Sequence, residues 1–431
     1  MPYSVLAQTV TKKNSAAMKA AETITAKQLS EYLHFVASDA MEGRDTPSRG
    51  LDTTAEFIKW NLSRWGFKPA GDNGTFFQKI ALRRESIDAA STKLTIGGKD
   101  FVLNDDFFRL AGNGSTGDLP IVFGGDGWMV KAKNIDALGN VDVKGKIVVF
   151  AGSGPNFSQR YMIPPPNGVT PADLGGTHGT DWADPIKNAE LKGAAGVIII
   201  APAQLLGFWD QVKGFFSRGS MYPEKLRDQP AQTPNLMPIM LGSMKVRDAI
   251  FGTTVPTSAG NLNKNGNLSV KSKTETLWTQ NVVAIWEGSD AVLKNEYVAI
   301  GAHYDHVGMN PNAQGEDKIW NGADDDGSGT VAVLSIAEAL AKSKIRPKRS
   351  ILFVWHAGEE KGLWGSEYYT KFPTVDLSKI VTALNIDMIG RSKKPGDTNP
   401  KNKELSGENE IYVIGSKMMS TDLGKITENV N

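Results

Sequence analysis

The 431-residue sequence contains no cysteine. That removes disulfides, thiolate metal sites and cysteine nucleophiles together, and leaves the redox compartment open. An excess of either charge is also missing. The 48 basic and 47 acidic residues are interspersed and leave a formal +1, without the basic stripe that follows a nucleic acid. No apolar run reaches the roughly 18 residues that span a bilayer. The opening MPYSVLAQTVTKKNSAAMKA lacks a basic start and a sustained apolar stretch, so it is not a complete signal peptide. It reads as a disordered or engineered leader, with SVLAQ as a possible signal remnant. No dinucleotide fingerprint or P-loop occurs. A serine-hydrolase elbow is absent too, since Ser328 has Asp326 rather than glycine two positions before it.

What is present is long enough for two domains, or for one domain with an insertion. Residues 27–67 read as helical, with apolar Leu29, Leu33 and Val36 and then Phe57, Ile58, Leu62 and Trp65, and Gly66 as a stop. From about 75 to 270 the texture is short strands and proline-rich loops. Within it KGKIVVF, DPIKNAELKGA and GVIIIA form a strand–helix–strand unit. From Gln280 onward strands and helices alternate. NVVAIWEG, YVAIGAH, SILFVWHAG, IVTALNID and EIYVIGS are strand candidates; TVAVLSIAEALAKSK and LWGSEYYTKF are helix candidates. This rhythm predicts an α/β fold with a mixed central sheet flanked by helices. The composition break divides the chain into 24–112, a β-rich insertion at 113–275, and 276–431.

Chemistry gathers after the strands. YVAIGA runs into His303 with Asp305 two positions on, ILFVWHAG into Glu359 and Glu360, and TALNI into Asp387. In open α/β sheets ligands bind beyond the carboxyl ends of the strands. Each residue alone has a plainer reading: a satisfied His-x-Asp pair, a solvated Glu-Glu turn, a helix-capping Asp. Their joint arrival at one edge favours a metal, and imidazole and carboxylate donors suit zinc, with manganese or cobalt as alternatives. The acidic run NGADDDGSGT adds Asp324, Asp325 and Asp326. It is not a calcium loop, because counting from Asp324 puts Ser335 where the twelfth-position glutamate belongs.

Taken in order, GAHYDHVG, NGADDDGSGT, HAGEEKGLWGS and ALNIDMIGR resemble the zinc aminopeptidases of peptidase family M28. LHFVASDAMEGRDTPSRG and GTFFQKI resemble the start of the same catalytic domain. The region from VKGKIVVF to PIMLGS resembles the protease-associated (PA) domain inserted in some members. The resemblance implies a zinc-exopeptidase fold, two zinc ions, and peptide substrates with a free N-terminus. It implies that His303 and Asp387 bind one ion, Asp325 bridges both and Glu360 binds the second. Glu359 would then be the general base, and Asp305 would accept the other imidazole N–H of His303. It also implies a cis peptide at Asp325–Asp326 and a secreted or periplasmic location.

One implied ligand has no counterpart. The family supplies a further histidine from beyond the DMIGR block, yet His34, His178, His303, His306 and His356 all precede Asp387. The expectation is a C-terminally shortened catalytic domain with a weakly held second ion. His306 and His356 read as structural residues. A binding protein that keeps the fold without turnover, and a different amide or ester hydrolase on the same metal, remain as alternatives.

Overall fold

The computed structural model describes residues 15–151, 163–210, 213, 219–226, 237–310 and 312–430. Most of the leader, residues 1–14, lies outside the described residues. The chain forms two compact units, one of residues 1–82, 223–226 and 277–431 and the other of 83–222 and 227–276.

In the first unit the helical stretch divides into α1 (Ala26–Val36) and α2 (Arg49–Arg64). Side-chain oxygens start both: Thr25 accepts from the Gln28 amide and Ser48 from the Leu51 amide. Leu51, Ala55, Ile58 and Leu62 repeat at helical spacing and are completely buried. Between the helices the chain turns through Glu42, Gly43 and Arg44, all at positive φ. The sequence reading ran one helical region across this turn.

The sheet uses β1 (Phe77–Ile87), β2 (Ser272–Trp286), β3 (Tyr297–His303), β4 (Ser350–His356) and β5 (Ile380–Asn385). Their order is β1-β2-β4-β3-β5. β3 is parallel to both β4 and β5, while β2 runs antiparallel to β4, so the sheet is mixed as expected. Strand periodicity sorts its two faces. Val282, Ala284, Phe353 and Trp355 pack with α2 and with α3 (Gly329–Ser343), whose Val333, Leu334 and Ala337 are buried. Val283, Leu352 and Val354 face the other way, toward Tyr369 of α4 (Trp364–Lys371). The parallel register sets His303 opposite His356 and Gly301 opposite Asn385, which brings the carboxyl ends of β3, β4 and β5 to one edge.

The second unit contains the strand–helix–strand element. Ile147–Ala151 and Gly196–Ile200 pair in parallel, with Pro185–Leu191 between them as a helix. The unit begins at Arg83, not at 113. The reason is strand pairing over long sequence distances, which local texture does not reveal. Lys93–Ile96 pairs with Gly260–Val270, and Phe107–Ala111 pairs with Ile239–Gly242. A second correction concerns EIYVIGS, which forms no strand. Ile411, Tyr412, Val413 and Ile414 are exposed, and no strand among the described residues pairs with them. An apolar run becomes a strand only when a neighbour takes its backbone hydrogen bonds. No helix of the described residues is long and apolar enough to cross a membrane.

The first unit rests on the interface between α2, α3 and the sheet. Ile58→Ala, which empties a fully buried position, lowers its stability by about 2–5 kcal/mol. Denaturant unfolding followed by tryptophan fluorescence measures the loss.

Candidate metal centre

His303 ends β3 and is buried, with its Nε2 facing three carboxylates. Asp325 Oδ1 stands 3.2 Å from that nitrogen, Asp387 Oδ1 3.8 Å and Glu359 Oε2 3.9 Å. His303, Asp325 and Asp387 each bring one donor atom within 4.8 Å of the others. A second set, His306, Asp325 and Glu360, meets the same measure and shares Asp325. Two donors about 2.1 Å from one ion lie no more than roughly 4.2 Å apart, and the 3.2 and 3.8 Å from His303 Nε2 to Asp325 and Asp387 fall inside that span. All six residues named from the sequence, His303, Asp305, Asp325, Glu359, Glu360 and Asp387, therefore meet at one edge.

The three adjacent aspartates have separate partners. Asp324 accepts the Gly390 amide at 2.8 Å and pairs with Arg391. Asp326 is buried and accepts the amides of Gly329, at the start of α3, and of Met388. Only Asp325 points to the site, and the peptide joining it to Asp326 is cis. Ser328 Oγ donates to the Asp324 carbonyl and accepts from the Ile389 amide. These bonds hold residues 388–391 against the acidic run, and so hold Asp387 beside Asp325.

Asp305 does something the sequence did not indicate. His303 Nδ1 faces the Asp305 carbonyl oxygen at 3.2 Å, while the Asp305 carboxylate stands 3.6 Å off, too far for a good hydrogen bond. The carboxylate instead accepts the amides of Glu359 and Glu360, at 3.0 and 3.3 Å. Asp305 is thus a positioning residue for both glutamates. Asn281, also unnoticed in the sequence, supports the same loop. It accepts the Ala357 amide and donates to Gly365 and Gln78.

Arg44 is the largest omission of the sequence reading. Its guanidinium is fully buried and donates to the carbonyls of Val36, Tyr304, Asn321 and Gly322. Burial lowers it to about 10, against the opposing pull of Asp305, Asp326 and Asp325, so it stays charged at neutral pH. The signal was in the quoted AMEGRD segment. Gly43 precedes Arg44 at a positive φ, where a Cβ would strike the Gly308 and Trp320 carbonyls.

The field at the site follows from crowded carboxylates. Burial would depress His303, but Asp305, Asp326 and Asp387 outweigh it and raise the imidazole to about 9. Burial raises the Glu359 carboxyl above its ordinary range; Asp305, Glu360 and Asp387 add to this and His303 opposes it. His356, beside His303 in the sheet, is lowered to about 4 by burial first and then by the charge of His303. It is a neutral packed residue. Beside the site lies a cleft of about 680 Å³, lined by His303, Glu359 and Asp387 and by apolar Leu363, Leu384 and Tyr369. Of the tryptophans near these motifs, Trp286 and Trp355 are core, whereas Trp320 is exposed.

The imidazole and carboxylate donors thus lie at the carboxyl edge of the parallel strands, where open α/β sheets bind their ligands. Residues 281–423 match the model of peptidase family M28. The chain is 35% identical over 140 residues to leupeptin-inactivating enzyme 1 of Streptomyces exfoliatus, covering 30% of this chain and 29% of that protein. It is 35% identical over 162 residues to leucine aminopeptidase 2 of Arthroderma otae, covering 37% of this chain and 28% of that protein. The matched stretches thus span under a third of either relative's length. Among solved structures, an aminopeptidase from Aneurinibacillus sp. strain AM-1 aligns over 86% of this chain and 72% of its own, at 17% identity and a TM-score of 0.44. A superposition that loose assigns no role to any residue here.

Replacing Arg44 by methionine strands four carbonyls, those of Val36 and Tyr304 buried and those of Asn321 and Gly322 half-buried, beside the carboxylates it offsets. Stability falls by about 3–5 kcal/mol. Arg44→Lys recovers only part of this, because an ammonium cannot reproduce the guanidinium fork. Equilibrium unfolding of the two variants beside wild type measures both effects.

Proposed function

We propose that the chain is a metal-dependent aminopeptidase, hydrolysing the N-terminal peptide bond of substrates with a free amine, with Glu359 as its general base. The observation that carries this reading is the convergence of His303, Asp325 and Asp387 beside the carboxylate of Glu359. The family match over 281–423 supports it, as do the names of the two relatives, one an aminopeptidase and one an enzyme that inactivates leupeptin.

His303, Asp325 and Asp387 would hold one zinc ion, and Asp325 with Glu360 would take part in holding a second. When bound, zinc polarises the scissile carbonyl and lowers the pKa of water in its coordination shell. Glu359 accepts the proton of the attacking water at its carboxylate and returns it to the leaving amine. A carboxyl held above its ordinary range is suited to keep that proton between the two steps. Asp305 keeps Glu359 in place through its backbone amide, and the cleft beside the site accommodates the substrate. The 83–222 and 227–276 unit is proposed as the protease-associated domain, and the location as secreted or periplasmic.

Aminoacyl nitroanilides and their N-blocked analogues, assayed with and without chelator, test the reading. Cleavage of free-amine substrates alone, abolished by chelation and restored by zinc, is the expected result. Chelator-insensitive ester cleavage, or no turnover of any substrate by the zinc-loaded chain, overturns it. Glu359→Gln lowers kcat by about 10²–10⁴-fold with metal content unchanged. His303→Ala loses the metal itself, which elemental analysis measures.

A further inference from the structure

We propose that Asn281 is a positioning residue for Glu359: it braces the neck of the loop that carries this glutamate, and so sets where the carboxylate stands. The inference rests on the reading of Glu359 as general base. It deepens that reading by naming the buried side chain on which the placement of the base depends.

The position of Asn281 in the sheet is the first observation. Strand periodicity puts it on the same face of β2 as Val283, which packs with Leu352, Val354 and Tyr369 of α4. Asn281 is fully buried there. An apolar residue would serve that core without polar atoms to satisfy. The carboxamide instead finds a partner for each of its bonding groups. Its Nδ2 donates to the Gly365 carbonyl and to Gln78 Oε1, each at 2.8 Å, and its Oδ1 accepts the Ala357 amide at 3.0 Å.

The partners are the second observation, because two of them are the arms of one loop. Ala357 leads into it from β4, Gly365 leaves it in the first turn of α4, and Glu359 and Glu360 lie between. The loop turns sharply. The Leu363 amide donates to the Glu359 carbonyl at 2.9 Å and the Trp364 amide to the Gly358 carbonyl at 3.0 Å. Leu363 stands at φ +62°, a left-handed conformation that its side chain disfavours. A turn of this kind keeps its shape while the surrounding contacts hold its ends. Gly365 lets the arms close, since a Cβ there would overlap both the Ala357 backbone and Asn281 Oδ1.

Gln78 extends the brace. It is buried on β1, and its Nε2 donates to the Phe372 carbonyl just past α4 at 2.7 Å. One pair of buried amides thus holds both arms of the glutamate loop and both ends of the helix that follows it. Asp305 grips the Glu359 and Glu360 amides further along the same loop. That grip needs the two amides presented together, and the neck fixes how they are presented. With the neck slack, the Glu359 carboxylate leaves its place 3.9 Å from His303 Nε2. A shift of about 1 Å in a reacting group costs on the order of 100-fold in rate.

The test uses the full chain, with zinc in excess for turnover. Asn281→Leu is expected to lower kcat by about 10–100-fold. The same substitution made on Glu359→Gln should change kcat by less than about threefold, because the residue it acts through is already lost. A loss that multiplies in full on Glu359→Gln overturns the inference. Hydrogen exchange on the metal-free chain is the second readout. In Asn281→Leu the Glu359 and Glu360 amides, which Asn281 does not touch, should lose protection by more than about tenfold while those of β3 keep theirs. Unchanged protection of the two amides overturns the inference; loss throughout the sheet does so too, since it marks general destabilisation. Gly365→Ala opens the same neck without removing any buried amide. It should reproduce both effects, and it replaces Asn281→Leu if that variant fails to fold. Absence of turnover by wild type sinks the aminopeptidase reading and leaves hydrogen exchange to decide whether Asn281 holds the loop.

Discussion

The buried guanidinium of Arg44 ties together segments that are far apart in sequence. It binds the end of α1 through Val36, the chain after β3 through Tyr304, and the approach to the acidic run through Asn321 and Gly322. Burying a charge is costly unless each of its donors finds a partner, and here four carbonyls supply them. The same charge stands among Asp305, Asp325 and Asp326, which on their own would repel one another. One residue therefore meets two needs, closing the backbone around the site and offsetting the field of its carboxylates.

That field is organised by giving each acidic group a different task. Asp324 is tied to Arg391 and the Gly390 amide, Asp326 caps the beginning of α3, and Asp305 receives the amides of the glutamate pair. Asp325, Asp387, Glu359 and Glu360 remain turned toward the site. Carboxylates that accept backbone amides are stabilised where they stand, and they act as struts for those left open. A run of three aspartates is thus two anchors around one ligand-type side chain.

Much of this was legible in the sequence because strand ends carry chemistry in open α/β sheets. YVAIGAH, SILFVWH and IVTALNID could be read as strands, and their exits named His303, Glu359, Glu360 and Asp387 before any geometry was known. The parts that were not legible depend on contacts between distant segments. Local texture put the inserted unit at 113, whereas strands at 93–96 and 107–111 already pair within it. EIYVIGS has a strand's composition and, among the described residues, no strand paired with it. Asp305 looked like the partner of the His303 ring, two residues away; its carboxylate stands 3.6 Å from that ring and also accepts amides more than fifty residues on.

The sequence by itself determined the chemical inventory: no thiolate, a balanced charge, imidazole and carboxylate groups at strand exits, and motifs that resemble one peptidase family. It could do so because strand periodicity and short motifs are local properties of the chain. Only the tertiary structure decided which aspartate faces the site, which glutamate stands beside His303 and which beside His306, and that Arg44 joins the loops between them. Those are matters of direction and distance between segments hundreds of residues apart, as Arg44 and Asn321 are. Linear order carries no record of them until the sheet register and the buried hydrogen bonds are in place.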